Sequence, residues 1–214
     1  MSRDDLFKAI DIADETMLRD ILTKDPSLAT SRSSDGVSAI LFTLYLAKYD
    51  LTKALLEHDP DLDIFDLAGL NMHMELMDKI DSDTDIDQLS GDGFSALHLA
   101  CFFGSLEAAA LLIEKGANVN IHADNMSDLR PLHSACVAGQ GPIVLLLLKA
   151  GAKANVIQAG GYTPLMAASS LGNAPVVDML LKYGADVTTL SDDKRSAADF
   201  AKAAGFEGLL ERLQ

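Results

Sequence analysis

One stretch of this chain returns at close to 33 residues. "GFSALHLACFFGSLEAAALLIEKGANVN" (93–120) aligns with "DLRPLHSACVAGQGPIVLLLLKAGAKAN" (128–155) and with "GYTPLMAASSLGNAPVVDMLLKYGADVT" (161–188). The matched positions Leu97, Leu132, Leu165 and Ala198 stand 35, 33 and 33 residues apart. A unit of this size cannot bury its apolar face alone. It must stack on its neighbours, so the period points to a solenoid or a similar array.

Within each unit the residues predict a turn, a short helix, a glycine turn and a second helix. Pro131, Pro164 or Ala96 stands where the first helix begins, a position that tolerates proline. That helix is expected over about Ala96 to Phe103, with Gly104, Gly139 or Gly172 closing it. Paired leucines mark the second helix ("ALLIEKG", "LLLLKAG", "DMLLKYG"), and Gly116, Gly151 or Gly184 ends it. Of the 214 residues 49% are hydrophobic but only 6% aromatic, without tryptophan, so Leu, Ala, Val, Ile and Met must build the core. Ala and Leu head the helix-propensity scale, which suits closely packed helices.

These residues resemble the ankyrin repeat, with its Gly-x-Thr-Pro-Leu-His-x-Ala turn and its later Leu-Leu-x-x-Gly-Ala-Asp-Val-Asn. The resemblance implies an all-α solenoid of about seven helix pairs with short finger loops. It spans 1–214 as a single ankyrin-repeat domain: degenerate repeats over 1–92, three well-matched repeats over 93–189 and a C-terminal capping repeat over 190–214. In the first third, "DGVSAILFTLYLAKYDLTKALLEHD" keeps the turn and the paired leucines. Two further segments match each other 59 residues apart, pairing Leu6 with Phe65, Ala9 with Ala68, Met17 with Leu76 and Ile21 with Ile80. The join "DPDLDIFDLA" has no room for a full finger. "DKRSAADFAKAAGFEGLLERLQ" ends in a charged helix, as a cap requires.

Three stretches imitate chemical sites. Gly91-Asp92-Gly93-Phe94-Ser95-Ala96 fits a loose dinucleotide fingerprint, but an aspartate-rich segment stands where that site needs a buried strand. His98 and Cys101 recur as His133 and Cys136, four potential zinc ligands. Equivalent helices of neighbouring repeats lie about 8–10 Å apart, whereas zinc needs every ligand within about 2.0–2.3 Å. Cys101 and Cys136 therefore read as small core residues in the slot that Ala168 fills, and a disulfide between them is not expected. The resemblance implies that His98 and His133 hydrogen-bond neighbouring turns. Asp81, Asp83, Asp85, Asp87 and Asp92 fall at calcium-loop positions 1, 3, 5, 7 and 12, but Ile86 occupies the glycine position and Asp92 replaces the bidentate glutamate. The acidic run reads as a solvated connection, with weak divalent binding left open.

No P-loop, His-Glu-x-x-His or Gly-x-Ser-x-Gly pattern occurs. The expectation is no enzyme, no cofactor and no metal. A formal charge of -15 opposes nucleic acid and anionic membranes as partners. The start "MSRDDLFKAIDIADE" does not read as a secretory signal, "PIVLLLL" is too short to span a bilayer, and two cysteines make no disulfide scaffold. A cytoplasmic protein, monomeric or weakly dimeric, is expected.

The resemblance further implies a protein partner bound through finger tips and the concave face. The variable finger position holds Phe94, Leu129 and Tyr162, and the residues before the inter-helix glycine include Phe102, Phe103 and Leu171. Equivalent residues line up along one face of a solenoid. The finger "IHADNMSDLRPL" is two residues longer than the next, which adds Met126 and Arg130 to the candidates. Arg130 also replaces the family's usual threonine. Two alternatives stay open: a self-associating structural protein, and a metal protein or enzyme using His98, Cys101, His133 and Cys136.

Overall fold

The computed structural model describes residues 2–214. Among these residues there are thirteen α-helices and three short 3-10 segments, with no strand beyond two isolated bridges. The helices pair as α1 (Arg3–Asp11) with α2 (Glu15–Lys24), α3 (Ala39–Tyr45) with α4 (Tyr49–Leu56), and α5 (Ile64–Gly69) with α6 (His73–Lys79). Next come α7 (Ala96–Phe103) with α8 (Leu106–Glu114), α9 (Pro131–Val137) with α10 (Gly141–Lys149), and α11 (Pro164–Ser170) with α12 (Ala174–Lys182). The seventh pair is α13 (Ala197–Ala203) with a 3-10 segment, Glu207–Arg212. The charged C-terminal helix expected from the sequence is thus a 3-10 turn.

First helices stack on first helices, from α1 on α3 through to α11 on α13, and second helices stack behind them. Leu97, Leu132 and Leu165 are each 1% exposed between layers, while Ala198 in the last repeat is only half-buried. The paired leucines supply Leu112, Leu147 and Leu180, all fully buried. Burying one such side chain stabilises the fold by roughly 1.5–3 kcal/mol.

Caps set where the first helices start. The side chains of Ser38, Ser95, Thr163 and Ser196 each accept the backbone N–H three residues on, a bond worth about 1 kcal/mol. Arg130 breaks this pattern: its side chain has no acceptor to offer, and Pro131 at the first helical position helps start α9 instead.

A backbone bond closes the base of each finger: Ser33 N–H to the Val37 carbonyl, Ser90 to Phe94, Gln158 to Tyr162 and Ser191 to Arg195. In the third finger the bond runs from Ala123 to Leu129, two residues further. Neighbouring fingers touch through backbone. Asp124 N–H donates to the Gly93 carbonyl and Asp192 N–H to the Gly160 carbonyl, each at 2.9 Å. A Cβ on Gly91 would fall 1.9 Å from the Asp35 carbonyl oxygen, and Gly93 has φ +82°. These glycines serve finger stacking, which accounts for the apparent dinucleotide pattern.

Behind the second helices a parallel ladder joins the repeats. Asp87, Asn120 and Asn155 accept the backbone N–H groups of Asn118, Lys153 and Asp186 at 2.9, 2.9 and 2.7 Å. The asparagine that ends "ANVN" and "AKAN" therefore ties each unit to the next.

Candidate partner-binding surface

The polar residues that imitate a catalytic or metal site are held in the scaffold. His98 is 1% exposed. Its Nδ1 accepts the Ser95 N–H at 3.2 Å, so its Nε2 carries the proton and donates to the Leu129 carbonyl at 3.1 Å. Burial pushes its pKa down to about 4, and the neutral ring clips one repeat to the finger of the next. His133 makes only half of this arrangement. Its Nδ1 accepts the Arg130 N–H at 3.2 Å. Its buried Nε2 makes no hydrogen bond of ordinary distance and angle, although the Tyr162 and Val156 carbonyls of the next finger are near enough to oppose the fall of its pKa. The expected bond to a neighbouring turn is present for His98 and missing for His133.

Cys101 and Cys136 are free thiols without exposure, and burial pushes both pKa values well above the usual thiol range. That is the reverse of what a nucleophile or a metal ligand needs. The acidic run is similarly occupied. Asp81 accepts Thr84 Oγ1 at 2.7 Å and the Asp83 N–H at 3.0 Å, Asp85 accepts the Asp87 N–H at 3.1 Å, and Asp87 serves the ladder. Among the described residues no group of three or more His, Cys, Asp or Glu is placed to hold a metal ion.

In the degenerate third repeat, Asp66 stands where His98 stands in the fourth: three residues after the N-cap, and 1% exposed. It accepts a short hydrogen bond from Ser38 Oγ and the Asp63 N–H at 3.2 Å. Burial first, then the charge of Asp63, raises its pKa to about 7. Arg32 pairs with Asp63 at 2.6 Å, opposing that rise. The sequence offered a signal for this residue in the Asp63–Asp66 spacing, but the missing finger concealed the register.

The candidate partner residues divide by exposure. Phe102 (41% exposed) and Leu171 (48%) sit at the ends of first helices, and Met126 (97%) projects from the long finger. Phe94, Phe103, Leu129, Arg130 and Tyr162 are half-buried. Phe94 packs on the His98 ring at 5.7 Å and Tyr162 on Phe200 at 5.6 Å. The Arg130 guanidinium meets His122 Nε2 and the Ile157 carbonyl, while His122 Nδ1 contacts Asp128 at 2.7 Å. The arginine that replaces threonine thus braces its own finger through His122 and ties it to the next through Ile157.

One residue joins this face that the sequence did not single out, Tyr45, together with Val137 from the pair before the inter-helix glycine. Tyr45 and Val137 (46% exposed) stand seven positions after their N-caps, as Phe102 does. Tyr45 lies 6.4 Å from Phe102 and 5.3 Å from Phe103, ring centre to ring centre. Its hydroxyl donates to Asp92 at 2.7 Å. Tyr45, Phe102, Val137 and Leu171 make an apolar row along the ends of the first helices, next to the fingers. Rows of this kind mark interaction surfaces more often than chance exposure.

Among the described residues no helix is long and apolar enough to cross a membrane. No curated protein matches the chain. A family model described as ankyrin repeats (3 copies) matches residues 6–158 and 122–191. Matched across the degenerate and the regular units alike, the chain belongs to the ankyrin-repeat family.

Proposed function

We propose that this chain is a non-catalytic protein-binding module, acting as one ankyrin domain over 1–214 and engaging a partner through its finger tips and concave face. Ankyrin repeats are generally protein–protein interaction modules. The observation that carries the finer reading is the apolar row of Tyr45, Phe102, Val137 and Leu171 beside the stacked fingers. A preformed surface on a packed solenoid binds with little ordering cost. The buried histidines and thiols are fixed in the repeat architecture, which is consistent with this reading. Cytoplasmic residence accords with the free thiols.

The test is a quantitative pull-down with wild type beside a Phe102→Ser/Leu171→Ser variant whose folding is checked by circular dichroism. The expected result is a protein retained by wild type and lost by the variant. If both baits retain the same proteins, the row is the wrong surface. A second reading, self-association, is favoured by exposed apolar residues in the early repeats, Tyr49 at 69% and Met74 at 57%. Light scattering across concentrations decides it: a mass that doubles with concentration supports a homodimer.

A further inference from the structure

Between the second and fifth repeats the face made by the first helices and the fingers holds an apolar cleft of about 120 Å³. Tyr45, Phe94, Leu99, Phe102 and Leu129 wall it, with Ser134 and the neutral His98 beside them. It is well below the roughly 300–1,000 Å³ typical of small-molecule pockets and close to the ~150 Å³ apolar cavity that holds a benzene ring, so it has room for one apolar side chain. Phe102 and Phe103 meet edge to face at 5.2 Å, and the Tyr45–Asp92 bond fixes the far wall. These walls hold one another in place, so the cleft is preformed.

The charge around it has one sign. Asp35, Asp92 and Asp124 occupy three successive finger tips that are in direct contact, through the Gly91 approach to the Asp35 carbonyl and the Asp124-to-Gly93 bond. Asn125 Nδ2 also donates to the Asp92 carbonyl at 2.9 Å, which keeps the second and third tips in register. No lysine or arginine among the described residues lines the cleft. The nearby cations are engaged elsewhere: Arg32 with Asp63 and the Gly36 carbonyl, Arg130 with His122 and the Ile157 carbonyl. An apolar seat under an acidic edge selects a ligand that is apolar at one residue and cationic beside it.

We infer that this cleft binds a basic peptide segment of a partner protein, with one aromatic or leucine side chain seated among Tyr45, Phe94, Phe102 and Leu129 and flanking lysines or arginines along Asp35, Asp92 and Asp124. The inference rests on the binding-module reading and specifies its partner. The anchor supplies affinity by leaving water, and the aspartates steer approach and set direction along the fingers.

The experiment is selection of a random dodecapeptide display library on the immobilised full chain. It is repeated on Phe102→Ser and on an Asp35→Asn/Asp124→Asn variant, whose altered side chains are exposed. The expected outcome is enrichment of peptides with lysine or arginine flanking an aromatic or leucine. Recovery should fall about tenfold on Phe102→Ser, the scale of losing a central anchor, and roughly threefold or more on the double asparagine variant. Enriched peptides that are acidic or uncharged overturn the inference but leave the binding-module reading standing. Basic peptides retained equally by Phe102→Ser report bulk charge alone and overturn the cleft. No enrichment on any bait counts against both readings.

Discussion

Ser38 Oγ, at the N-cap of α3, donates a hydrogen bond to the buried carboxyl of Asp66 in α5. This bond joins the second and third repeats where the third repeat has lost its finger, and a titratable group carries it. The Asp66 pKa is raised to about 7 from an ordinary value near 3.8. The folded chain therefore holds this proton at pH values where the unfolded chain has released it. The stabilising contribution is complete below about pH 3.8 and is lost as pH rises through about 7. Urea unfolding of wild type and Asp66→Asn at pH 5 and pH 8 tests this. Wild type should lose stability relative to the variant across that interval, by at most about 1.4 kcal/mol per pH unit. Parallel pH profiles would remove Asp66 from the account.

His98 and His133 run the other way. Both are buried with pKa values pushed down to about 4 from 6.5, so the unfolded chain binds protons that the folded chain refuses. Their contribution is present above about pH 6.5 and is lost as pH falls toward 4. In NMR titrations the ring C–H resonances of His98 and His133 should keep close to their neutral positions down to about pH 5. A ring titrating near 6.5 would mean that the bond network drawn for His98, or the burial of His133, is wrong.

The parts of the fold that repeat were legible in the sequence, because periodicity reports equivalent environments. The spacing of Leu97, Leu132 and Leu165 located the buried seam, and the span of α7 follows from Ala96 and Gly104. Even the two extra residues of the third finger could be read from "IHADNMSDLRPL". What stayed hidden depended on side-chain partners between unlike units. Tyr45 joins Phe102 only because a degenerate repeat lies against a regular one. Arg130 reads in the sequence only as a replacement for threonine and a partner candidate, and its contact with His122, eight residues earlier in the same finger, depends on side-chain placement. Exposure was equally unreadable: Phe94 and Phe102 have the same side chain, yet one leans on His98 and the other meets solvent.

Finger stacking gives a third prediction. A methyl group at Gly91 would sit 1.9 Å from the Asp35 carbonyl oxygen, and backbone cannot yield as a flexible side chain can. Gly91→Ala should cost about 1–3 kcal/mol through displacement of the first finger. At Gly208 an added Cβ meets nothing within 4 Å and φ is ordinary, so Gly208→Ala should change stability by less than about 0.5 kcal/mol. Urea midpoints of the two variants measure the contrast. Equal midpoints would show that the fingers are not in contact in solution.

The last prediction concerns Cys101 and Cys136, which occupy matching positions in α7 and α9 and lie wholly within the stacked core. Only the thiolate attacks a disulfide reagent, and burial raises both thiols well above their usual range. Reaction with 5,5′-dithiobis(2-nitrobenzoic acid) at pH 8 should therefore be negligible in the native protein and reach two thiols in denaturing urea. Because a solenoid can open from an end without unfolding throughout, the order of labelling at intermediate urea is informative. Cys136 lies nearer the C-terminal cap, so simultaneous labelling would show that α7 to α13 unfold together. Earlier labelling of Cys136 would show the array fraying from its 3-10 end. Rapid labelling of either thiol in the native protein would contradict the burial of the α7–α9 seam.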